Sequence, residues 1–285
     1  MEQEKLKLSS INLYNQDIDD EKIKHLLYHV YNNIRFSTFP YLTYKCNSSY
    51  ETLNRYNSGN CIALSYFVKI FLKRNYNVNS HIIIANVPNV YKVINTPHAC
   101  HCAVFVPVSP TEFYIIDIAF SFLSAMYCNV KNNKTRQIEF TDIYSYENHK
   151  IDYIIENCDN SVIDEQFNQE LLPDSLKVRC NFSHDKTQTW NYYLNEVLNP
   201  DQSVGIHFLR EKHLPFILYT YFDHIDNKVK LMYKLQIDEK GELQLKEYPT
   251  GDLIYDGNIA SSMERQNIDK SILNLMRNHF EDYII

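Results

Sequence analysis

Apolar residues near the start of the chain recur at helical spacing. Ile23, Leu26, Leu27, Val30 and Ile34 fall on one face of a helical repeat, with Asp19 and Asp20 ahead of them as N-cap candidates, so the pattern predicts a helix here. The helical signal continues in segments to about residue 75. Phe36–Lys45, which holds Pro40, reads as extended or irregular, Tyr50–Tyr56 as a short helix, and Ile62–Arg74 as a longer one.

From residue 78 onward the period changes to that of strands. His81–Val87, His101–Val108 and Glu112–Phe120 are rich in β-branched and apolar residues, and Ser109-Pro110-Thr111 separates the last two as a hairpin turn. A less periodic, Asn-rich stretch runs from Asn129 to Asn199. Further strands are expected at Ser203–Leu209, Phe216–Asp223, Lys228–Ile237 and Glu242–Tyr248, with Asp238-Glu239-Lys240-Gly241 as a turn. Ile268, Ile272, Leu275, Met276 and Phe280 then share one face of a terminal amphipathic helix that Asn267 can cap. With no repeat and no low-complexity linker, a helical start, a β-rich middle and an α/β end read as subdomains of one unit.

Composition narrows the class. A chain of 285 residues with 45% apolar residues can bury a large core. Its net charge of −7, with acids and bases interspersed, provides no basic face for a nucleic acid. Met1–Asp20 lacks the apolar core of a signal peptide and no run is long enough to span a bilayer, so a cytoplasmic location without a membrane partner is expected. The seven cysteines are odd in number and follow no framework spacing, which makes most of them small buried hydrophobes in a reducing compartment. Oligomeric state is left open.

Three positions carry the candidate chemistry. Cys61 follows Asn57-Ser58-Gly59-Asn60 at a helix start, where the macrodipole and free amide groups favour thiolate over thiol. Gly59 permits close approach into the helix, and the Cys61 N–H with a neighbouring amide would form an oxyanion hole. His101 opens one strand of the hairpin and Asp117 lies on the next. Alternation puts His101, Ala103 and Phe105 on one face with Phe113, Ile115 and Asp117 on the face opposite them across the turn, so Asp117 can hold the imidazole that activates Cys61. Asp117 sits among apolar neighbours, where a carboxylate is costly without a partner. His98 is the rival base, placed after Pro97 in a loop rather than at a strand start. His98, Cys100 and Cys102 also share one strand face, but no second ligand pair completes a zinc site, so no metal is assigned.

The segments Gly59-Asn60-Cys61-Ile62-Ala63-Leu64, His101-Cys102-Ala103-Val104-Phe105-Val106 and Tyr114-Ile115-Ile116-Asp117-Ile118-Ala119-Phe120 resemble the Cys-His-Asp core of arylamine N-acetyltransferases, within the transglutaminase-like superfamily. Phe39-Pro40 ahead of the cysteine and the ending Asn278-His279-Phe280 extend the resemblance. It implies an α+β fold: an N-terminal helical bundle over 1–80 carrying Cys61, a central antiparallel β-barrel over 81–200 carrying His101 and Asp117, and a C-terminal α/β lid over 201–285. It also implies acyl transfer from an acyl-CoA such as acetyl-CoA, as co-substrate with no tightly bound cofactor, through a Cys61 acyl-enzyme to an arylamine, hydrazine or other amine. Ala119, Phe120 and Ser121 would border the acyl-CoA.

The chain departs from the family pattern at its glycines. Arg-Gly-Gly-x-Cys is Asn57-Ser58-Gly59-Asn60-Cys61 here, and Asp-Val-Gly-Phe-Gly is Asp117-Ile118-Ala119-Phe120-Ser121. Two alternatives stand beside acyl-CoA chemistry. One is a transglutaminase-like or peptidase-like enzyme acting on glutamine or peptide amides; the other is an inactive family member serving as a binding or structural protein.

Overall fold

A computed structural model of the chain describes residues 14–15, 17–42, 46–92, 100–158, 163–164, 169–170, 176–197, 215–237 and 243–257. The expected strand at 203–209, the turn at 238–241, the terminal helix at 268–280 and His98 lie outside these residues.

Helix α1 (Asp20–Asn33) starts as its sequence dictates: the Asp19 side chain accepts the Lys22 N–H at 2.9 Å, and Ile23, Leu26, Leu27 and Val30 are buried. After β1 (Arg35–Ser37), the segment expected to be irregular forms a one-turn helix, α2 (Phe39–Leu42). Pro40 suits that first turn, where its missing N–H has no helical partner to lose. Helix α3 (Ser49–Tyr56) is capped by Ser48 through the Glu51 N–H, and strand β2 (Ser58–Gly59) leads into α4 (Cys61–Tyr76).

The main sheet has eight strands. They are β3 (His81–Ala85), β4 (His101–Ser109), β5 (Glu112–Ile116), β6 (Met126–Asn129), β7 (Arg136–Asp142), β8 (Glu147–Asn157), β11 (Leu176–Phe182) and β12 (Asp185–Val197), with a small ribbon of β9 (Ile163–Asp164) and β10 (Gln169–Glu170) between β8 and β11 in sequence. Their spatial order is β6-β5-β4-β3-β12-β11-β8-β7. The two edges meet through the β5–β6 connection: Phe122 bridges Phe140, the Leu123 N–H donates to Glu139 O at 2.9 Å, and the Thr141 N–H donates to Ser121 O at 3.2 Å. The sheet is therefore a nearly closed antiparallel barrel.

Period-2 alternation sorts its side chains into two cores. Ile83, Ala85, Ala103, Phe105, Phe113, Ile115, Ile151, Tyr153, Val178, Cys180, Trp190, Tyr192 and Leu194 point inward and fill the barrel. On the outside of β4 and β5, Val104, Val106, Tyr114 and Ile116 pack against Leu26, Val30, Leu64, Val68 and Leu72 of α1 and α4. Each fully buried aliphatic side chain here contributes about 1.5–3 kcal/mol relative to exposure, so the helix layer is fastened to β4 and β5 rather than loosely apposed.

Half of the barrel comes from the stretch that sequence periodicity left without elements, since β7, β8, β11 and β12 all lie within 129–199. The third layer is a six-stranded sheet in the order β16-β15-β14-β13-β1-β2, with β13 (Phe216–Asp223), β14 (Lys228–Ile237), β15 (Leu243–Glu247) and β16 (Leu253–Gly257) joined by β1 and β2 from the helical region. Strand β1 pairs with β13 through Phe36 and Leu218, which links the first and last parts of the described chain.

Candidate active site

Asn60 builds the start of α4. Its Oδ1 accepts the N–H groups of Ile62 at 3.1 Å and Ala63 at 3.3 Å, and the Tyr41 hydroxyl donates to the same oxygen at 2.9 Å. This cap fixes the direction of the first turn and hence of the Cys61 side chain. It also occupies two neighbouring amides, so the expected oxyanion hole cannot draw on Ile62 or Ala63. Gly59 is required by crowding: a Cβ there would lie 2.4 Å from Ala63 Cβ, 2.8 Å from Thr52 Oγ1 and 2.9 Å from the Tyr41 hydroxyl.

His101 is the first residue of β4 and points into the barrel mouth, with Ala85 opposite it on β3. Asp117 was expected inside a strand reaching Phe120. Strand β5 instead ends at Ile116, and Asp117 opens a turn in which the Ser121 N–H donates to Ile118 O. The register Val104↔Ile116 and Phe105↔Ile115 continues past the strand end, which keeps Asp117 on the His101 face. His101 Nε2 lies 2.6 Å from Asp117 Oδ2, and both residues are buried. The Cys61 sulfur lies near enough to the ring to favour its protonated form. Cys61, on the helix layer, and His101 with Asp117, on the barrel, thus meet where the two layers touch.

Two further residues, far from Asp117 in sequence, complete the network. Tyr192 donates its hydroxyl to Asp117 Oδ2 at 2.6 Å and accepts the Trp190 Nε1–H at 3.1 Å, and the Ala119 N–H donates to Asp117 Oδ1 at 3.0 Å. Asp117 therefore accepts three hydrogen bonds and is held against rotation. The legible signal was the one tryptophan of the chain with tyrosine two positions on, a pair that one strand face aims at a single place. Ala119, Phe120 and Ser121 form the turn after Asp117. Phe120 lies edge-on to the His101 ring at 5.0 Å, while Ser121 is buried at φ 55°. That left-handed conformation costs a non-glycine residue roughly 1–2 kcal/mol, at a position where the family pattern has glycine.

Electrostatics follow from these contacts. The Cys61 thiol is held well below its ordinary range, first by a hydrogen bond from Cys102 and, against the cost of burial, by its hydrogen bond with His101 and the charge on that ring. Burial alone would depress His101, yet the Asp117 charge and hydrogen bond, with those of Cys61, push it up to about 10. The two together favour a thiolate–imidazolium pair. Burial and the Asp117 charge raise the Tyr192 hydroxyl well above its usual value, so it remains a donor. The two thiols flanking His101 in sequence move the opposite way to Cys61: burial raises Cys100 to about 11 and Cys102 well above the ordinary thiol value.

All seven cysteines are free thiols. Among the described residues no group of three or more His, Cys, Asp or Glu residues could hold a metal ion, and no helix is long and apolar enough to cross a membrane.

No protein-family model and no curated protein matches the sequence. Solved structures do. An arylamine N-acetyltransferase from Bacillus cereus, described as having a Cys-His-Glu catalytic triad, is 15% identical and superposes with a TM-score of 0.53 over 92% of this chain and 91% of its own. Arylamine N-acetyltransferase C from Bacillus anthracis is 12% identical, with a TM-score of 0.50 over 94% of this chain and 93% of its own. Helices, nearly closed barrel and strand-rich third layer together give this chain the fold of the arylamine N-acetyltransferases.

Proposed function

We propose that the protein is a cysteine acyltransferase that moves an acyl group from an acyl-CoA to an amine through a Cys61 acyl-enzyme. The observation that carries this reading is the buried His101–Asp117 pair at 2.6 Å beside Cys61 at the start of α4, with the thiol lowered and the imidazole raised. The Cys61 thiolate attacks the thioester carbon, the carbon–sulfur bond to CoA breaks, and the departing thiolate takes the His101 proton. The amine then attacks the Cys61 acyl group, His101 removes the amine proton, and the Cys61 thiolate leaves, restoring the ion pair. Asp117 holds the ring orientation that both transfers require. The Cys61 N–H, at the start of α4, would steady the oxyanion.

The donor is proposed to pass beside Ala119, Phe120 and Ser121, with no resident cofactor taking part. Free thiols throughout suit a reducing, cytoplasmic setting. Side chains at positions 119 and 121, where the family pattern has glycine, favour as a second reading a donor smaller than CoA, such as a glutamine or peptide amide. Incubation with a panel of acyl-CoAs in the absence of amine should add one acyl mass to Cys61. A protein that acquires no such mass from any of them, yet is trapped at Cys61 by a peptide electrophile, is not an acyl-CoA enzyme.

A further inference from the structure

Acyl transfer uses one thiol at this site, but the site holds two. Cys102, the second residue of β4, faces the helix layer and is 1% exposed; it packs with Ile62, Ile82, Ile84 and Tyr193 in the cluster that Cys61 borders. Its Sγ donates to Ser65 Oγ at 3.6 Å. Ser65 lies one helical turn beyond Cys61 on the same face of α4, which places the Cys102 sulfur over that turn. Cys61 packs against this same cluster, and its charge is felt at Cys102. Cys61 is half-buried and Cys102 is sealed, so a small solute meets Cys61 first.

We propose that Cys61 and Cys102 form a hydroperoxide-responsive dithiol whose disulfide closes the site reversibly. The Cys61 thiolate attacks the terminal oxygen of a hydroperoxide ROOH; the S–O bond forms, the O–O bond breaks, and the alkoxide takes the His101 proton and leaves as the alcohol, or as water when the oxidant is hydrogen peroxide. Cys61 is now a sulfenic acid. The Cys102 sulfur attacks it, the S–S bond forms, the S–O bond breaks, and the Cys102 proton departs with the hydroxide as water. The peroxide is reduced by two electrons and the two thiols are oxidised by two. A reducing dithiol restores both by exchange.

Ionisation orders the steps. Burial and the adjacent Cys61 charge hold Cys102 as a thiol, so it does not compete for peroxide, and that charge disappears once Cys61 is oxidised. Cys61 packs against the cluster that holds Cys102, so a small approach of α4 and β4 brings the two sulfurs to about 2.05 Å, the length of a disulfide. Cys100, the nearest rival in sequence, precedes β4 and is itself held protonated by burial. The inference rests on the reactive Cys61 thiolate of the proposed function but not on any acyl donor.

The test treats the reduced full-length protein with hydrogen peroxide, alkylates the remaining thiols with N-ethylmaleimide and maps the peptides. A Cys61–Cys102 cross-link, with the loss of two hydrogens in mass and full reversal by dithiothreitol, is expected. Cys102→Ser should instead give a dimedone-reactive Cys61 that proceeds to sulfinic acid and is not recovered by dithiothreitol; Cys102→Ala serves if the serine variant does not fold. Sulfinic acid at Cys61 beside an alkylated Cys102 in the wild type, a cross-link to Cys100 or Cys158, an unoxidised Cys61, or full recovery of the Cys102 variants each overturns the proposal. Disulfide formation without acylation by any acyl-CoA would sink only the acyl-transfer reading, and acylation without the disulfide would sink only this one.

Discussion

Replacing Asp117 by Asn tests the electrostatic core of the site while changing little in volume. His101 moves from an ordinary 6.5 to about 10, which corresponds to about 5 kcal/mol of preference for the charged ring. Burial works against that preference, and without the Asp117 charge and hydrogen bond only Cys61 still favours the charged ring, so the affinity of the imidazole for its proton should fall well below the wild-type value. Cys61 then loses much of the positive charge beside it, while the hydrogen bond from Cys102 remains. The assay is the rate of Cys61 alkylation by iodoacetamide against pH, read by peptide mass, with thiolate absorbance as a second measure. Wild-type Cys61 should react at pH 6, where a thiol raised to about 11, such as Cys100, is ionised in only about one molecule in 10⁵. In Asp117→Asn the Cys61 rate at pH 6 should fall by about 10² or more. The amide cannot accept from His101, Tyr192 and Ala119 together, so stability drops by about 1–3 kcal/mol and the profile is taken well below the unfolding midpoint. An unchanged alkylation profile in a folded Asp117→Asn protein would refute the reasoning.

Tyr192→Phe removes one donor from Asp117 and leaves the buried Trp190 N–H without its acceptor, so urea unfolding should show a loss of about 1–3 kcal/mol with Cys61 reactivity shifted less than in Asp117→Asn. Gly59→Ala drives a methyl group into Ala63, Thr52 and Tyr41, and should cost about 1–3 kcal/mol together with a large fall in Cys61 alkylation; a variant as stable and reactive as wild type contradicts the packing described. The ion pair also fixes a pH dependence. His101, raised, contributes stability that is complete below pH 6.5 and lost as pH rises through about 10; Cys61, lowered, contributes stability that is complete above 9.0 and lost as pH falls. The two slopes oppose each other between 6.5 and 9.0 in the wild type, so the stability gap between wild type and Cys61→Ala should widen as pH rises across that window, measured by urea midpoints.

The parts legible in the sequence were those with a local cause. Ile23, Leu26, Leu27 and Val30 announce α1 because one helix face buries them, and the Phe216–Asp223 and Lys228–Ile237 strands were read to the residue. The barrel strands β7 and β8 were not, because their outer faces carry polar residues such as Glu139, Lys150 and Asp152 interrupted by Ile154, which blurs the alternation while Ile138, Ile151 and Tyr153 turn inward. At the site, Cys61, His101 and Asp117 could be named from strand parity and a helix start. Tyr192 and Asn60 could not, since one reaches Asp117 across 75 positions and the other acts through a backbone cap that only a folded first turn creates. The end of β5 at Ile116 was misjudged because the apolar run to Phe120 continues through a turn that is buried for packing rather than paired as a strand.

The proposed nucleophile and its proposed base belong to different layers, and the boundary between them is apolar. Chemical reactivity at Cys61 is therefore a gauge of how tightly α1 and α4 are docked on β4 and β5. Truncating Val104 or Leu72, neither of which touches a reacting atom, should loosen that boundary and weaken the Cys61–His101 pairing, which falls off with distance, before either layer unfolds. Selection for reactivity in such a protein acts on its interior packing as strongly as on the three polar residues that carry the charge.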